Sequence, residues 1–274
     1  MTTDNTSLHP HGEPARTMQR RTVLAALGIG ATSLGLGSTA LPKASASPRP
    51  PGSSVRRPSC ILAPEAIEGP YFIDEDLIRR NITEDREGVP LEMRITVVDG
   101  VKCVPIAGAK VDIWHCDAEG WYSGHLDTSP DVPPTGPDHV EPTDPSRFLR
   151  GVQTTDRRGE VRFRSIYPGW YYGRAIHVHL TVHVDGLEVH TGQLYFPEKF
   201  NKKVALLEPY ARHTGTERLP NQEDDIYVQE GGAQTTMDVR PLRPGRLEHG
   251  CIASITAGVI PGHTPPAPTL PASA

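Results

Sequence analysis

The sequence has no long run of charge of one sign. Its 274 residues contain 28 lysines and arginines against 33 aspartates and glutamates, which gives a net charge of -5. A basic patch would point to nucleic acid or to an anionic membrane surface. The charge pattern therefore indicates no nucleic-acid partner.

Long apolar segments are also scarce. The one mildly apolar run, residues 25–40, is short and rich in glycine, whereas a membrane span takes about 20 strongly apolar residues. It follows the twin arginines Arg20 and Arg21 and precedes an Ala-Ser-Ala cleavage motif at 44–46. Residues 1–46 are therefore predicted to be a twin-arginine export signal, which leaves a secreted protein with no stable membrane span after cleavage. A signal retained as a membrane anchor is the alternative.

Cysteine is scarce, and its spacing argues against one kind of metal site. The four cysteines, Cys60, Cys103, Cys116 and Cys251, include no Cys-x-x-Cys pair of the zinc-binding kind. Outside the cytoplasm disulfides are permitted. Four cysteines allow three pairings, among which the sequence does not choose, and buried free thiols are the alternative.

Helical periodicity is weak, whereas the 28 prolines and 26 glycines favour turns and short strands. Apolar and polar residues alternate at 91–98 and 110–115, which predicts strands. Residues 151–164 and 175–196 each predict a hairpin around a turn that contains Asp and Gly. The predicted fold is all-β, an antiparallel β-sandwich with long irregular loops.

Composition also predicts the limits of the folded domain. Residues 47–58 are rich in proline, serine and glycine and are predicted to be a linker, and residues 261–274 a flexible tail. Residues 59–260 then form one domain. Inside it, residues 125–147 are a proline-rich loop, and we expect this loop and the residues near Tyr71 to shape a binding pocket.

Two histidines, His177 and His179, carry the first indication of a metal site. Residues two apart on a strand point to the same face, so both imidazoles would reach one metal ion. The spacing leaves the metal open. Because His183 lies on the same predicted face, a zinc trihistidine hydrolase or lyase is an alternative.

Two tyrosines at predicted strand ends shift the balance toward iron. Tyr122 follows the strand at 110–115, and Tyr167 precedes the histidine strand. A phenolate is a hard anionic donor that favours iron(III) over iron(II) and suits zinc less well. A phenol with a pKa of about 10 ionises at neutral pH only beside a strong Lewis acid.

Six segments, in this order, resemble the intradiol ring-cleavage dioxygenases, the superfamily of catechol and protocatechuate dioxygenases, and most closely their exported single-domain bacterial branch. They are APEAIEGPYF at 63–72, VDIWHCD at 111–117 continuing to Tyr122, FLRGVQTTD at 148–156, IYPGWY at 166–171, RAIHVH at 174–179 and QLYF at 193–196. Each segment is weak alone, but the six together are specific.

The resemblance implies one Fe(3+) ion held by two tyrosines and two histidines. The matching positions are Tyr122, Tyr167, His177 and His179. Tyr171 and Tyr172 compete with Tyr167, but the Tyr-Pro pair at 167–168 favours Tyr167.

The resemblance also implies which residues take part in catalysis. Arg174 matches an arginine that steadies negative charge on the substrate, and Gln193 matches a glutamine that hydrogen-bonds nearby. Tyr167 would be the ligand that leaves the metal and takes a proton from the substrate.

The implied activity is cleavage of a catechol ring between its two hydroxyl-bearing carbons with O2, which gives a cis,cis-muconate. The partners would be a small catechol, whose identity stays open, and O2. The chain lacks the N-terminal helical segment through which catechol dioxygenases dimerise, so whether it forms a homodimer also stays open. The alternative from another class is a non-catalytic sandwich that binds aromatics or polysaccharide through Trp114, Trp121 and Trp170.

Overall fold

The structure, a computed structural model, describes residues 61–133 and 139–265. The predicted export signal and linker lie outside these residues, as does most of the predicted tail. Within the described ranges, no helix has the length and apolar character needed to cross a membrane.

The described part of the chain is built mainly from strands. They are β1 (Pro90–Asp99), β2 (Val104–Pro105), β3 (Lys110–Trp114), β4 (Arg150–Thr154), β5 (Glu160–Ile166), β6 (His177–Val184), β7 (Leu187–Tyr195), β8 (Asp238–Pro241) and β9 (Cys251–Val259). Short helices lie between β7 and β9. They are α1 (Glu198–Val204), α2 (Asp225–Gln229) and the 3-10 turns Tyr210–Arg212, Asn221–Glu223 and Leu247–His249.

The strands form two sheets, so the predicted all-β sandwich is confirmed. In the first sheet, β1 pairs with β9 on one side and with β5 and β2 on the other. Strand β9 also pairs with β8. The second sheet has the order β4-β3-β6-β7. One pair departs from the antiparallel prediction, because β1 and β9 run parallel.

Of the two predicted hairpins, the structure confirms one. Strands β6 and β7 pair antiparallel, with a register shift between Val182 and His183. The hairpin predicted at 151–164 is wrong, because β4 pairs with β3 while β5 pairs with β1 in the other sheet. The turn at 156–159 reverses the direction of the chain. The two strands that it connects nevertheless join different sheets, which cover the core from opposite sides.

The core lies between the sheets and determines which side of β6 carries the histidines. Met93 and Ile95 of β1 pack with Val178 and Leu180 of β6 in one cluster of buried side chains. Side chains on a strand alternate between its two faces, so the intervening positions of β6 point away from this core. They are buried as well, because loops cover the outer face of the second sheet.

Candidate metal centre and substrate pocket

The outer face of the second sheet brings together side chains from three strands. His179 on β6 lies opposite Trp114 on β3 and opposite Gln193 on β7. His177 lies opposite Tyr195 of β7. Strand alternation thus places both histidines on one buried surface, as the His-x-His spacing predicts.

Hydrogen bonding and stacking orient the two imidazoles. His177 Nδ1 donates to the Ala175 carbonyl over 2.7 Å, so its Nε2 carries a lone pair. This Nε2 lies 3.0 Å from Nε2 of His179. The His179 ring stacks on the Trp114 ring, with centroids 4.9 Å apart and planes 7° apart. Both Nε2 atoms therefore face the same small volume.

Tyr122 reaches this volume from the loop after β3. The Asp117 carboxylate accepts hydrogen bonds from the amides of Glu119 and Trp121, both at 3.0 Å, and so closes the loop tightly. The Tyr122 hydroxyl lies 3.1 Å from Nε2 of His179 and the ring is buried. The predicted position of Tyr122 beside the histidines is thus observed.

The second tyrosine at the centre is Tyr171. Its hydroxyl lies 3.2 Å from Nε2 of His177, and its ring meets that of Tyr122 edge-on at 5.5 Å. Gly169 allows this approach, because a Cβ there would lie 2.5 Å from the Asp117 and Ala118 carbonyl oxygens. The loop at 168–174 can therefore lie directly against the loop that carries Tyr122.

Tyr167, which the sequence favoured, lies elsewhere. Its hydroxyl donates to Asn201 over 2.7 Å, and its ring packs at 4.3 Å from the Phe196 ring. It belongs to the cluster between the sheets, whereas Tyr122 belongs to a separate cluster against which Tyr171 packs. The Tyr-Pro pair at 167–168 follows the end of β5, beside the core. The chain reaches the outer face of the second sheet only at Tyr171, four residues after Tyr167.

Burial keeps the four converging groups uncharged in the absence of a cation. It raises the pKa of Tyr122 well above its ordinary value and that of Tyr171 to about 12. Burial and the nearby Arg174 charge lower the pKa of His177 and His179 well below the ordinary range. At neutral pH the centre therefore holds two phenols and two neutral imidazoles.

Arg174 lies beside this centre in a network of polar groups. Its guanidinium donates to Gln193 Oε1 at 2.5 Å and to the hydroxyls of Tyr195 and Tyr171, both at 3.3 Å. Gln193 in turn donates to the Ile67 carbonyl over 3.0 Å. The predicted closeness of Arg174 and Gln193 is observed, and the amide of Gln193 is engaged in orienting Arg174.

Asp224 completes the network, and the sequence offered no indication of it. Its Oδ2 accepts from Arg174 Nε at 3.1 Å and from the Ala175 amide at 2.7 Å. Its Oδ1 caps α2 by accepting from the amides of Ile226 and Tyr227. Burial lowers the pKa of Arg174, but the nearby Tyr171 and Asp224 raise it by more, so the pKa lies above its ordinary value. Asp224 lies 50 residues from Arg174, so only the fold brings the pair together.

A pocket opens over the two tyrosines of the centre. Its walls include Tyr122, Tyr171, Tyr71, His125, Pro130 and Val132. The expectation that the loop after His125 and the residues near Tyr71 shape a pocket therefore agrees with the described part of this loop.

The structure does not support a zinc trihistidine site. A strand rises about 3.3 Å per residue, so His183 lies roughly 13 Å along β6 from His179, too far to share its metal. Across 61–133 and 139–265, no three side chains among His, Cys, Asp and Glu converge as a metal site.

The three tryptophans do not form an exposed aromatic surface. Trp114 and Trp170 are 1% and 5% exposed. Trp114 stacks on His179, and Trp170 stacks on His213 at 4.9 Å. Their faces are therefore occupied inside the protein, which argues against the aromatic-binding or polysaccharide-binding alternative.

Comparison with curated proteins finds relatives that act on catechols. Chlorocatechol 1,2-dioxygenase of Pseudomonas putida is 31% identical over 154 residues, which cover 48% of this chain and 52% of that protein. The chain thus spans about half the length of the curated relatives that it matches.

Solved structures cover more of the chain. An intradiol ring-cleavage dioxygenase from Tetranychus urticae is 37% identical with a TM-score of 0.69, over 75% of this chain and 98% of that one. The dioxygenase domain of a dioxygenase carbohydrate-binding fusion from Streptomyces sp. SirexAA-E is 26% identical with a TM-score of 0.51, over 73% and 99%.

The family comparison agrees with the site. The model of the family Dioxygenase_C, described as dioxygenase, matches residues 67–207, which make up just over half of the chain. The matched segment contains both histidines, both tyrosines of the centre and Arg174. With the fold, the family match and the relatives all in agreement, the chain belongs to the intradiol ring-cleavage dioxygenase superfamily.

Proposed function

We propose that this protein binds iron(III) through Tyr122, Tyr171, His177 and His179 and uses it to open the ring of a catechol with O2. Cleavage falls between the two hydroxyl-bearing carbons and gives a cis,cis-muconate. The observation that carries the proposal is the convergence of two phenol hydroxyls and two imidazole nitrogens, with neighbouring atoms 3.0 to 3.2 Å apart. The proposal keeps three of the ligands expected from the sequence and replaces Tyr167 by Tyr171.

The donor set fits a hard, highly charged cation. The Nε2 lone pair of His177 faces Nε2 of His179 at 3.0 Å, an arrangement that a cation between the two nitrogens stabilises. Both phenols are buried with raised pKa values, so they ionise only beside a strong Lewis acid. When bound, iron(III) would supply that Lewis acidity and would activate the catechol dianion toward O2.

Tyr171 is the residue best placed to take a proton from the substrate. Tyr171 lines the pocket, and its hydroxyl oxygen lies 3.3 Å from Arg174 Nη1. A phenolate at this position accepts a proton from a catechol hydroxyl as general base. The proton-accepting role that the sequence assigned to Tyr167 therefore passes to Tyr171.

Arg174 stabilises negative charge that develops on the substrate. The guanidinium stays charged throughout, and its fork geometry suits contact with oxygen anions. Asp224, Gln193 and Tyr195 hold it in one orientation. No reorganisation of Arg174 is then needed when charge develops, which is the condition under which such a group lowers a barrier most.

The experiment that tests the proposal combines colour, metal content and oxygen uptake. Iron-loaded protein should absorb visible light through tyrosinate-to-iron charge transfer, and it should consume O2 in equimolar amount with catechol. A colourless zinc-loaded preparation with full activity would refute the assignment. Protein that binds iron without colour would refute the tyrosine ligands alone.

We also propose that the protein is exported folded by the twin-arginine route. Arg20 and Arg21 before a weak apolar run support this. Cys103 is disulfide-bonded, and disulfides persist mainly outside the cytoplasm. The test is replacement of Arg20 and Arg21 by Lys, after which undiminished export would overturn the proposed route.

A further inference from the structure

Arg150 is a buried guanidinium beside the loop that carries Tyr122. It is 4% exposed, and it lies on β4 directly opposite Trp114 of β3, which in turn lies opposite His179 of β6. Residues directly opposite each other in an antiparallel pair share one face of the sheet. Arg150 therefore lies on the same buried outer face as the metal centre, two strands away from His179.

Two hydrogen bonds attach Arg150 to the residue that follows Tyr122. Its Nε donates to Ser123 Oγ at 2.9 Å, and its Nη2 donates to the Ser123 carbonyl at 2.7 Å. Ser123 Oγ donates in turn to the Phe148 carbonyl at 2.7 Å, which ties the loop a second time to the segment before β4. The backbone next to Tyr122 is therefore held in place from β4.

Among the described residues, no carboxylate pairs with this guanidinium. Its hydrogen bonds go to uncharged groups of Ser123, whereas the neighbouring Arg147 is paired with Glu75 at 2.7 Å. Burial raises the pKa of Asp112, on the adjacent strand, to about 8, so this carboxyl is mostly protonated at neutral pH. Buried charges in proteins are normally paired, so an unpaired guanidinium here points to an anion that forms only in the working enzyme.

The anion that fits is the phenolate of Tyr122. Burial lowers the pKa of Arg150 to about 10, and Tyr122 is the group that opposes this effect most strongly. The guanidinium is thus charged at neutral pH and interacts more with Tyr122 than with any carboxylate. Without a cation Tyr122 is an uncharged phenol, and it ionises only beside a strong Lewis acid. The counter-ion of Arg150 therefore forms when the metal binds.

We propose that Arg150 is a positioning residue that acts through Tyr122: it holds the segment that carries this ligand, and its charge stabilises the metal-bound phenolate. This inference rests on the proposed function of the same centre. It goes further by assigning a role to a second buried cation besides Arg174, one that acts on a ligand and not on the substrate.

The test removes the charge of Arg150 but keeps a hydrogen-bond donor, in the variant Arg150→Gln. Iron affinity, measured by competition with a chelator, should fall by about 10- to 100-fold, the range for loss of a group that supports a metal ligand. The visible band should move to longer wavelength, because an unpaired phenolate holds its electrons less tightly and less energy transfers one to iron. Arg150→Lys, which keeps the charge, should retain most of the affinity and the original band position.

Arg147→Gln is the matched control. It makes the same substitution three residues away, at an arginine whose charge is already neutralised by Glu75. It should leave the band in place and change the iron affinity by less than about threefold. If Arg150→Gln does not fold, Arg150→Met replaces it, because an unbranched side chain fills the buried space without a charge.

The outcomes separate this inference from the proposed function. An unmoved band in the folded, coloured uncharged variant overturns the role of Arg150, as does an equal loss of iron affinity in that variant and in Arg150→Lys. Original protein that takes up iron without colour and opens no catechol overturns the proposed function instead.

Discussion

The Tyr171 hydroxyl lies 3.2 Å from Nε2 of His177, on the outer face of the second sheet. The two residues are six positions apart in the chain. The short loop between them carries Arg174, and the Arg174 amide donates to the Tyr171 carbonyl at 3.2 Å. One local turn therefore positions a tyrosine, an arginine and a histidine around the same volume.

Replacing each of the two competing tyrosines by phenylalanine tests which one binds the metal. Tyr171→Phe should weaken or shift the visible band and reduce kcat by at least about 100-fold, because it removes a phenolate donor and a base. Tyr167→Phe is the matched control. It should keep colour and activity and cost about 1 kcal/mol of unfolding free energy, since it loses one hydrogen bond to Asn201. The reverse pattern of colour loss would restore Tyr167 as the ligand.

The outcome for Tyr167 and Tyr171 shows how much of the site can be predicted from a sequence pattern. His177 and His179 were predictable, because strand alternation is a local rule with a period of two residues. Tyr171 lies in an irregular loop where no such rule applies. Its position depends on Gly169 and on contacts with the loop at 117–118, which are long-range features.

The fold shows the same division between local and long-range information. Strand positions and the β6–β7 hairpin follow from alternation and turn residues. The parallel pairing of β1 with β9 and the separation of β4 from β5 into different sheets depend on residues far apart in the chain. The role of Asp224 was likewise not predicted, because no feature of the sequence near it indicates that its side chain binds Arg174.

Asp224→Asn tests whether Asp224 acts by positioning Arg174. Asparagine is also a good helix cap, so α2 should persist, but the amide removes the negative partner of a buried guanidinium. We expect kcat to fall by about 10- to 100-fold with little change in the visible band, because the charge opposite the substrate loses its orientation. Steady-state kinetics and the absorption spectrum check this. Equal loss of colour and activity would indicate a purely structural role.

Gly69→Ala tests how closely the chain must approach His179. Gly69 has φ of +82°, and a Cβ there would lie 2.9 Å from His179 Cε1. The added methyl group should displace the imidazole and lower iron occupancy severalfold. Gly186→Ala is the matched control, because Gly186 has φ of +81° with no atom within 4 Å of the added Cβ. It carries the same backbone strain, about 1 kcal/mol, and should keep its iron. Metal analysis of both variants distinguishes the steric effect from backbone strain.

His115 should make the metal-free protein less stable in acid. It is fully buried, its Nδ1 donates to the Cys116 carbonyl at 2.7 Å, and its Nε2 accepts from Ser165 Oγ at 2.7 Å. Burial lowers its pKa from 6.5 to about 4. Between these two pH values the unfolded chain binds a proton that the folded chain does not. The stability contributed by the neutral ring is thus complete above pH 6.5, declines as the pH falls, and is lost below about 4.

The size of this effect follows from the shift in pKa, which amounts to about 3 kcal/mol over the whole range. Urea unfolding of metal-free protein at several pH values gives the unfolding free energy as a function of pH. The slope of this pH dependence should be smaller in His115→Gln than in the original protein by up to about 1.4 kcal/mol per pH unit. His249→Gln, which changes an exposed histidine, is the control and should leave the slope unchanged. Other buried histidines such as His190, whose pKa burial also lowers to about 4, contribute equally to all three proteins. Their effect cancels in the comparison, so equal slopes for His115→Gln and the original protein would contradict the assignment to His115.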